Sequence, residues 1–536
     1  MISAAGLAAL MQSAEPHAVL DLRERAAYER GQIFRATLLP RRLLEFRLPR
    51  LVPARQTPLV LVDEDGRLAE LAHPTLARMG FSDVRILEGG LGAWRAAGRR
   101  LVQGVNVPSK VFGERMLHEM KTPEISPEDL QARLDAKADL VLVDSRTPEE
   151  YHRGCIPGAW SMPGGELVLR IAELVRSPET TIVVHCGGRT RSYIGAETLR
   201  RMKLPNPVMA LENGTMGWEL AGLTLERGAA RWAPPVSERG RALAQQVAAR
   251  IAAEEGVPFV SPEELRRLWE RRDRENAYVL DVRYPDEYAQ AHVAGAVSAP
   301  GGQAVQATDE HVAVRAAHVI LVCDGAGRSV MTASWLRRMG LPRVAVLRGG
   351  LPAWVESGGG VERGSPAPVP EGYEAARAAV ARVEPRALQA ELASDRLPLI
   401  LDVGASDDYG RGHVPGAAWL CRSRLELRIG EVAPDRTRPV VLTSADGLHS
   451  TLAAAALGGL GWSAVRVLEG GTRAWQEAGL PLEQGLTRMM DEADDVLHRP
   501  FERGRAWMEA YLRWEEALDP EGQSPHALLP ERGGRP

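Results

Sequence analysis

Two of the four cysteines in this 536-residue sequence stand at the head of loops suited to nucleophilic chemistry. Cys186-Gly187-Gly188-Arg189-Thr190-Arg191-Ser192 follows the apolar run Thr181 to His185 and precedes a segment of helical character that begins near Tyr193. Glycines let a short loop fold tightly, so several backbone N–H groups converge on one atom, and the positive end of the following helix adds to them. With Arg189 and Arg191 nearby, such a cradle should hold the Cys186 sulfur as a thiolate at neutral pH and make it a nucleophile. Cys323-Asp324-Gly325-Ala326-Gly327-Arg328-Ser329 repeats the arrangement with one arginine fewer and an added carboxylate, so its pull on an anionic donor is expected to be weaker. The sequence has no CxxC pair and no His/Cys spacing suited to zinc, and neither a metal nor an organic cofactor is expected.

The elements that must hold these loops recur along the chain. Four copies open with an apolar strand ending in aspartate: Asp21, Asp144, Asp281 and Asp402. A polar stretch with a tyrosine leads to a Gly/Pro turn, read as GCIPGA from Gly154, AHVAGA and GHVPGA in the last three copies and as GQIFRA in the first. A second apolar strand then ends at Asp63, Cys186, Cys323 or Ser444, always 42 positions after the aspartate, as in 186 − 144 and 323 − 281. A glycine-bearing loop, a helical segment, a third strand and the phrase LEGG or a variant follow, ahead of Trp94, Trp218, Trp354 and Trp475. Apolar strands alternating with helical periods predict four α/β units, each a parallel sheet flanked by helices. The pattern places them at 1–103, 123–228, 258–364 and 382–485, with a helical extension and a frayed Pro/Gly-rich tail over 486–536.

Composition is that of an ordinary globular protein, with 45% hydrophobic and 25% charged residues. The formal charge of −4 gives no electrostatic reason to expect nucleic acid or an anionic membrane as partner. No apolar run approaches a membrane span, and Ala4 to Met11 reads as a first helix rather than a leader, so a cytoplasmic protein is expected.

The Asp-x-Arg strand end, the GxIPGA turn, the cysteine loop and the closing LEGG-to-Trp phrase together resemble the rhodanese family, over about four fifths of the chain by repeat reading. CGGRTRS, ENGTMGW, GVNVPSK and PGGQAVQATDE are similar to segments of bacterial proteins built from four rhodanese domains. The resemblance implies parallel sheets with helices on both sides. It also implies a cysteine that takes a sulfane sulfur from a donor such as thiosulfate and passes it, as a persulfide, to a thiol, cyanide or sulfite, or exchanges it with a partner protein. Carried over residue by residue, Cys186 and Cys323 are the nucleophiles. Gly187, Gly188, Arg189, Thr190 and Arg191, with Asp324, Gly325, Ala326, Gly327 and Arg328, supply amides and charge, and Arg170 is a further candidate for the donor pocket. Phosphatases that resemble rhodaneses place five residues between cysteine and arginine. Here four intervene, and Ser192 and Ser329 stand where that arginine belongs, so the ring suits sulfur rather than phosphate or arsenate.

Other residues invite weaker readings. The first and fourth copies carry Asp63 and Ser444 in place of cysteine and read as scaffolds; Ser444 would need a base, and His449 shares its loop. His185 neighbours Cys186 but points to the opposite face of its strand, and Cys155 and Cys421 read as small buried residues. Arg47, Arg170 and Arg428 share one position in three copies, which favours a structural ion pair. Asp144 with Arg146, and Asp281 with Arg283, should brace the loops, a pair that Gly404 breaks in the fourth copy. The tryptophans are expected to anchor cores.

Overall fold

The computed structural model describes residues 1–528 except 326, 366, 368, 394–396 and 497; Ala326 and the last eight residues of the expected tail therefore lie outside the described residues. In the second copy the parallel strand order is Glu124–Ile125, Val208–Leu211, β2 (Thr181–His185), β1 (Leu140–Asp144), Trp160–Ser161. The third copy repeats it, with β3 (Ala277–Asp281) and β4 (His318–Val322) at the same places, and so does the fourth. The first copy has four strands in register and completes the pattern with a single parallel bridge, Ile2 to Leu87. The central strands are buried on both faces, which is why they read as continuous apolar runs rather than alternating ones.

The LEGG phrase has a steric origin. Its second glycine, Gly214 in the second copy and Gly350 in the third, has φ of +53° and +60°, and a Cβ there would strike the carbonyl oxygen of Cys186 or Cys323. The next residue's N–H instead donates to that carbonyl, from Thr215 and Leu351, both at 2.8 Å. The phrase thus clamps the strand end that carries the cysteine. Each tryptophan that follows is buried and donates its indole N–H to a carbonyl six residues on, as Trp218 does to Thr224 at 3.1 Å.

The copies pack in pairs. Gly164 and Gly165 of the second meet Gly301 and Gly302 of the third so closely that a Cβ on Gly165 would lie 3.0 Å from Gly301 Cα. Between the first and fourth copies the same positions hold Arg41 and Arg422, which share buried Glu426. One apolar cluster runs through the first three copies, and separate clusters fill the fourth.

The segments between the expected domains form helices: α1 (Val107–Met120) before the second copy and α3 (Glu238–Glu255) before the third. They pack on the helices that follow the cysteine loops, α2 (Thr190–Arg201) and α4 (Arg328–Arg338). At the C-terminus α5 (Arg505–Glu516) is anchored by Trp514, which is buried with Val102, Val107 and Leu528. The stretch from Asp519 to Leu528, expected to be frayed, is instead packed, because Leu528 is buried in that cluster and Gly522 lies against Phe34. Among the described residues no helix is long and apolar enough to cross a membrane.

Candidate active site

Cys186 sits where β2 ends and α2 is about to begin. Its Sγ receives the Gly188 N–H at 3.4 Å and the Ser192 hydroxyl at 3.1 Å. Ser192 is fully buried, so its hydroxyl is held against the sulfur rather than shared with solvent. Sequence reasoning treated Ser192 only as the absence of a phosphatase arginine, although a serine six places after the strand end recurs at Ser329 and Ser450. At Cys323 the Ser329 hydroxyl is again 3.1 Å from Sγ.

The arginines of the Cys186 loop are committed to carboxylates. Arg189 makes a bidentate pair with Glu114 of α1 at 2.7 and 2.8 Å and donates to Asn213, so it fastens the loop to the linker helix. Burial pushes the Glu114 carboxyl up to about 7 against the pull of Arg189. Arg191 pairs with Glu150 at 2.7 and 3.0 Å. Burial works against the charged Glu150, but Arg191 and Arg499 prevail and hold it well below the usual carboxylate range. Gly187, Gly188 and Thr190 complete the turn, and the Thr190 hydroxyl donates to Glu515 of α5 at 2.7 Å.

Around Cys323, Arg328 is buried and pairs with Glu287 at 2.7 and 2.8 Å, with Asp324 at 3.3 Å, and with Glu166 of the second copy at 2.6 Å. Gly325 is exposed, whereas its counterpart Gly188 is buried, and Gly327 is pressed against Ala244 of α3. Arg170 was a candidate for the pocket at Cys186; it lies instead at the mouth of the neighbouring loop. It lines a 450 Å³ cavity with Arg241, Glu287, Asp324 and Arg328, while pairing with Glu166 at 2.7 Å and lying 5.5 Å from the Tyr284 ring. The packing of the second copy on the third turns it there, which one repeat's sequence does not reveal.

Arg146 and Arg283 each grip their aspartate, Asp144 or Asp281, and also donate to a turn carbonyl, Gly154 or Ala291, tying strand end to turn. Asp402 has no such arginine; it accepts from Gly404 N–H at 2.8 Å, and burial pushes its carboxyl up to about 7.

The cysteine-free loops keep the shape but fill it differently. Asp63 points its carboxylate into the first loop, accepting from the N–H groups of Gly66 and, at 3.0 Å, Ala69. Ser444 accepts from Ser450 N–H at 3.3 Å. His449 is no base for Ser444: its ring stacks on Phe46 of the first copy at 4.4 Å, and burial lowers it to about 4. His185 is buried in β2 with Nε2 3.7 Å from Asp144, and burial likewise lowers it to about 4. Cys155 and Cys421 are both buried, and burial raises both thiols.

The chain is similar to known proteins. The crystal structure of a thiosulfate sulfurtransferase from Pseudomonas aeruginosa superposes with a TM-score of 0.89 at 39% identity, covering 98% of this chain and 99% of that one. A sulfurtransferase of Allochromatium vinosum is 32% identical over 102 residues, 19% of this chain and 92% of its own length. A putative sulfur carrier protein of Bacillus subtilis, YrkF, is 34% identical over 96 residues, 17% of this chain, and the match spans about half of its length, 51%. The family model for the rhodanese-like domain matches residues 3–97, 126–221, 261–357 and 384–478, so the chain belongs to the rhodanese family as four such domains in tandem.

Proposed function

We propose that the protein is a sulfurtransferase that carries sulfane sulfur as a persulfide on Cys186 and Cys323. The observation that supports this most directly is a buried cysteine at a strand end, with the Gly188 N–H and the Ser192 hydroxyl directed at its sulfur, and with the serine contact repeated at Cys323. Such donors, at the positive end of α2 or α4, favour a negatively charged sulfur before and after it accepts another. The thiolate attacks the outer sulfur of thiosulfate, a new S–S bond forms, and the old one breaks as sulfite leaves with the electron pair. A thiol, as thiolate, or cyanide then attacks the terminal sulfur and the cysteine thiolate is regenerated, with no external oxidant or reductant. The similarity to thiosulfate sulfurtransferases supports thiosulfate as a donor.

A second reading is a sulfur carrier that exchanges persulfide with a partner protein and turns over free thiosulfate poorly. It is favoured by the burial of both cysteines and by the similarity to a putative carrier. Steady-state thiocyanate formation by the parent, Cys186→Ser and Cys323→Ser chains separates the two. Sulfur transfer predicts turnover that falls with each substitution and vanishes with both. Sulfur uptake in the mass spectrum with negligible turnover would favour the carrier, and hydrolysis of an aryl phosphate would replace both readings.

A further inference from the structure

We propose that the cleft where the first domain meets the third binds an organic anion with an apolar body, its charge held by Arg35 and Arg315. No residue of either cysteine loop lines this cleft, so the inference stands apart from the sulfur-transfer reading.

The first domain departs from the other three at one turn. Where they have a glycine with φ of +83°, +75° and +82°, at Gly158, Gly295 and Gly416, the first has Arg35, held left-handed at φ +67°. Glycine adopts that conformation freely and arginine does not, so the fold of the turn gives no reason for the exchange. The residue before it changes too, from Pro157, Ala294 or Pro415 to Phe34. Phe34 and Arg35 both line the cleft. On the opposite wall Arg315 is followed by Ala316, a second left-handed residue that is not glycine, at φ +60°. The Arg315 N–H donates to the His17 carbonyl at 2.9 Å, which fastens the two walls together.

Two adjoining cavities of 570 and 640 Å³ form the cleft and share Phe34, Arg35, Ala313, Arg315 and Pro520. The first is walled by apolar side chains, among them Phe112, Val312, Met339 and Leu341. The second gathers Arg35, Arg99, Arg100 and Arg315 against a single carboxylate among the described residues, the exposed Glu521. Arg35 and Arg99 lie over the rings of Phe34 and Trp94 at 5.3 and 5.0 Å, but none of the four guanidinium groups has a hydrogen bond or ion pair among the described residues. Arg35 and Arg315 each keep an exposed face, so a ligand can reach them from solvent. Partial burial lowers both, and the nearness of Arg35 lowers Arg315 further, a repulsion that an anion between them relieves. The carboxylates of the apolar cavity are otherwise engaged. Arg189 holds Glu114 at 2.7 Å and lies 3.9 Å from Glu516, Arg115 lies 3.8 Å from Glu119, and burial pushes Asp309 up to about 7. An apolar chain or ring in the first cavity, with its carboxylate or sulfonate at the arginines, satisfies both ends.

The test titrates the full chain with anilinonaphthalene sulfonate, an apolar aromatic anion whose fluorescence rises in an apolar site. Decanoate, neutral decanol and acetate then compete for it. We expect saturable binding at one site per chain, displacement by decanoate, and none by decanol or acetate at the same concentration. Arg315→Gln and Arg35→Gly should each weaken the dye about tenfold. Arg35→Gly should not lower the melting temperature, since it restores the glycine of the other three turns. Binding unchanged in both variants, decanol competing as well as decanoate, or a lower melting temperature for Arg35→Gly would each overturn the inference. Sulfur loading of the cysteines by thiosulfate, read in parallel by intact-protein mass spectrometry, should match the parent in both variants, so the two readings fail separately.

Discussion

Replacing Ser192 by alanine tests the cradle at its best-defined contact. The substitution removes one buried hydroxyl, 3.1 Å from Sγ, and leaves the backbone donor of Gly188 in place. A hydrogen bond to a charged group contributes about 1.5–3 kcal/mol. At about 1.4 kcal/mol per tenfold, its loss corresponds to a fall of roughly 10- to 150-fold in the rate of persulfide formation, provided the bond is stronger to the thiolate than to the thiol. The assay is rapid-quench mass spectrometry of the Cys323→Ser chain mixed with thiosulfate, which reads single-turnover loading of Cys186 apart from product release. Ser450→Ala in the fourth domain, which has no sulfur to contact, is the control and should leave loading unchanged. Loading by Ser192→Ala within twofold of the parent would refute the reasoning, because the hydroxyl would then be packing filler and not a charge-stabilising donor.

Other perturbations follow from the same geometry. Glu166→Gln removes the second domain's carboxylate from Arg328, 2.6 Å away, and peptide mapping should show several-fold slower sulfur loading at Cys323 with Cys186 unchanged. Asp402 is raised from 3.8 to about 7, so the fold binds a proton that the unfolded chain does not between those values, and stability falls as pH rises through them. About three units are about 4 kcal/mol, less about 1–3 for the extra amide donor, so Asp402→Asn should gain about 1–3 kcal/mol at pH 8 and lose about 1–3 at pH 4, where the carboxyl is already neutral, read by hydrogen exchange in strand 399–402. His449 is lowered from 6.5 to about 4, so the parent should lose stability as pH falls through that window, by about 3 kcal/mol at its end. His449→Phe, which can still stack on Phe46, should flatten that part of a melting-temperature profile.

Much of the fold was legible because the repeat is strict. The fixed interval from strand-end aspartate to loop residue, the punctuating turns and the LEGG phrase are local requirements, and each is visible in the geometry: the phrase exists because a Cβ at Gly214 would strike the Cys186 carbonyl. What the sequence hid is what arises between repeats. Nothing within the second copy shows that Arg189 will meet Glu114, that Arg170 will face the third domain, or that the C-terminal helix α5 will cover Gly188. The helix α3 does carry a local signal: Ser237, capping Gly240 N–H, opens a segment that ends at left-handed Gly256.

The domains without cysteine show that the cradle must hold something. Backbone N–H groups gathered at a strand end are buried donors, and leaving one unsatisfied costs about 1–3 kcal/mol. A domain that gives up the cysteine therefore needs another acceptor at the same point. In the first domain Asp63 supplies a carboxylate that takes the N–H groups of Gly66 and Ala69, and in the fourth Ser444 takes that of Ser450. The carboxylate takes the acceptor position that sulfur holds in the second domain; burial pushes it up, and the amides pull against that shift. Asp63→Ala should then destabilise the first domain by about 2–5 kcal/mol, the sum of two orphaned donors with some relaxation, while Asp63→Asn, which keeps one acceptor oxygen, should cost less. Hydrogen exchange in strand 59–62 reports the first domain separately from the others. If alanine and asparagine proved equally mild, the loop would not depend on its anion, and the same reasoning would lose its force at Cys186.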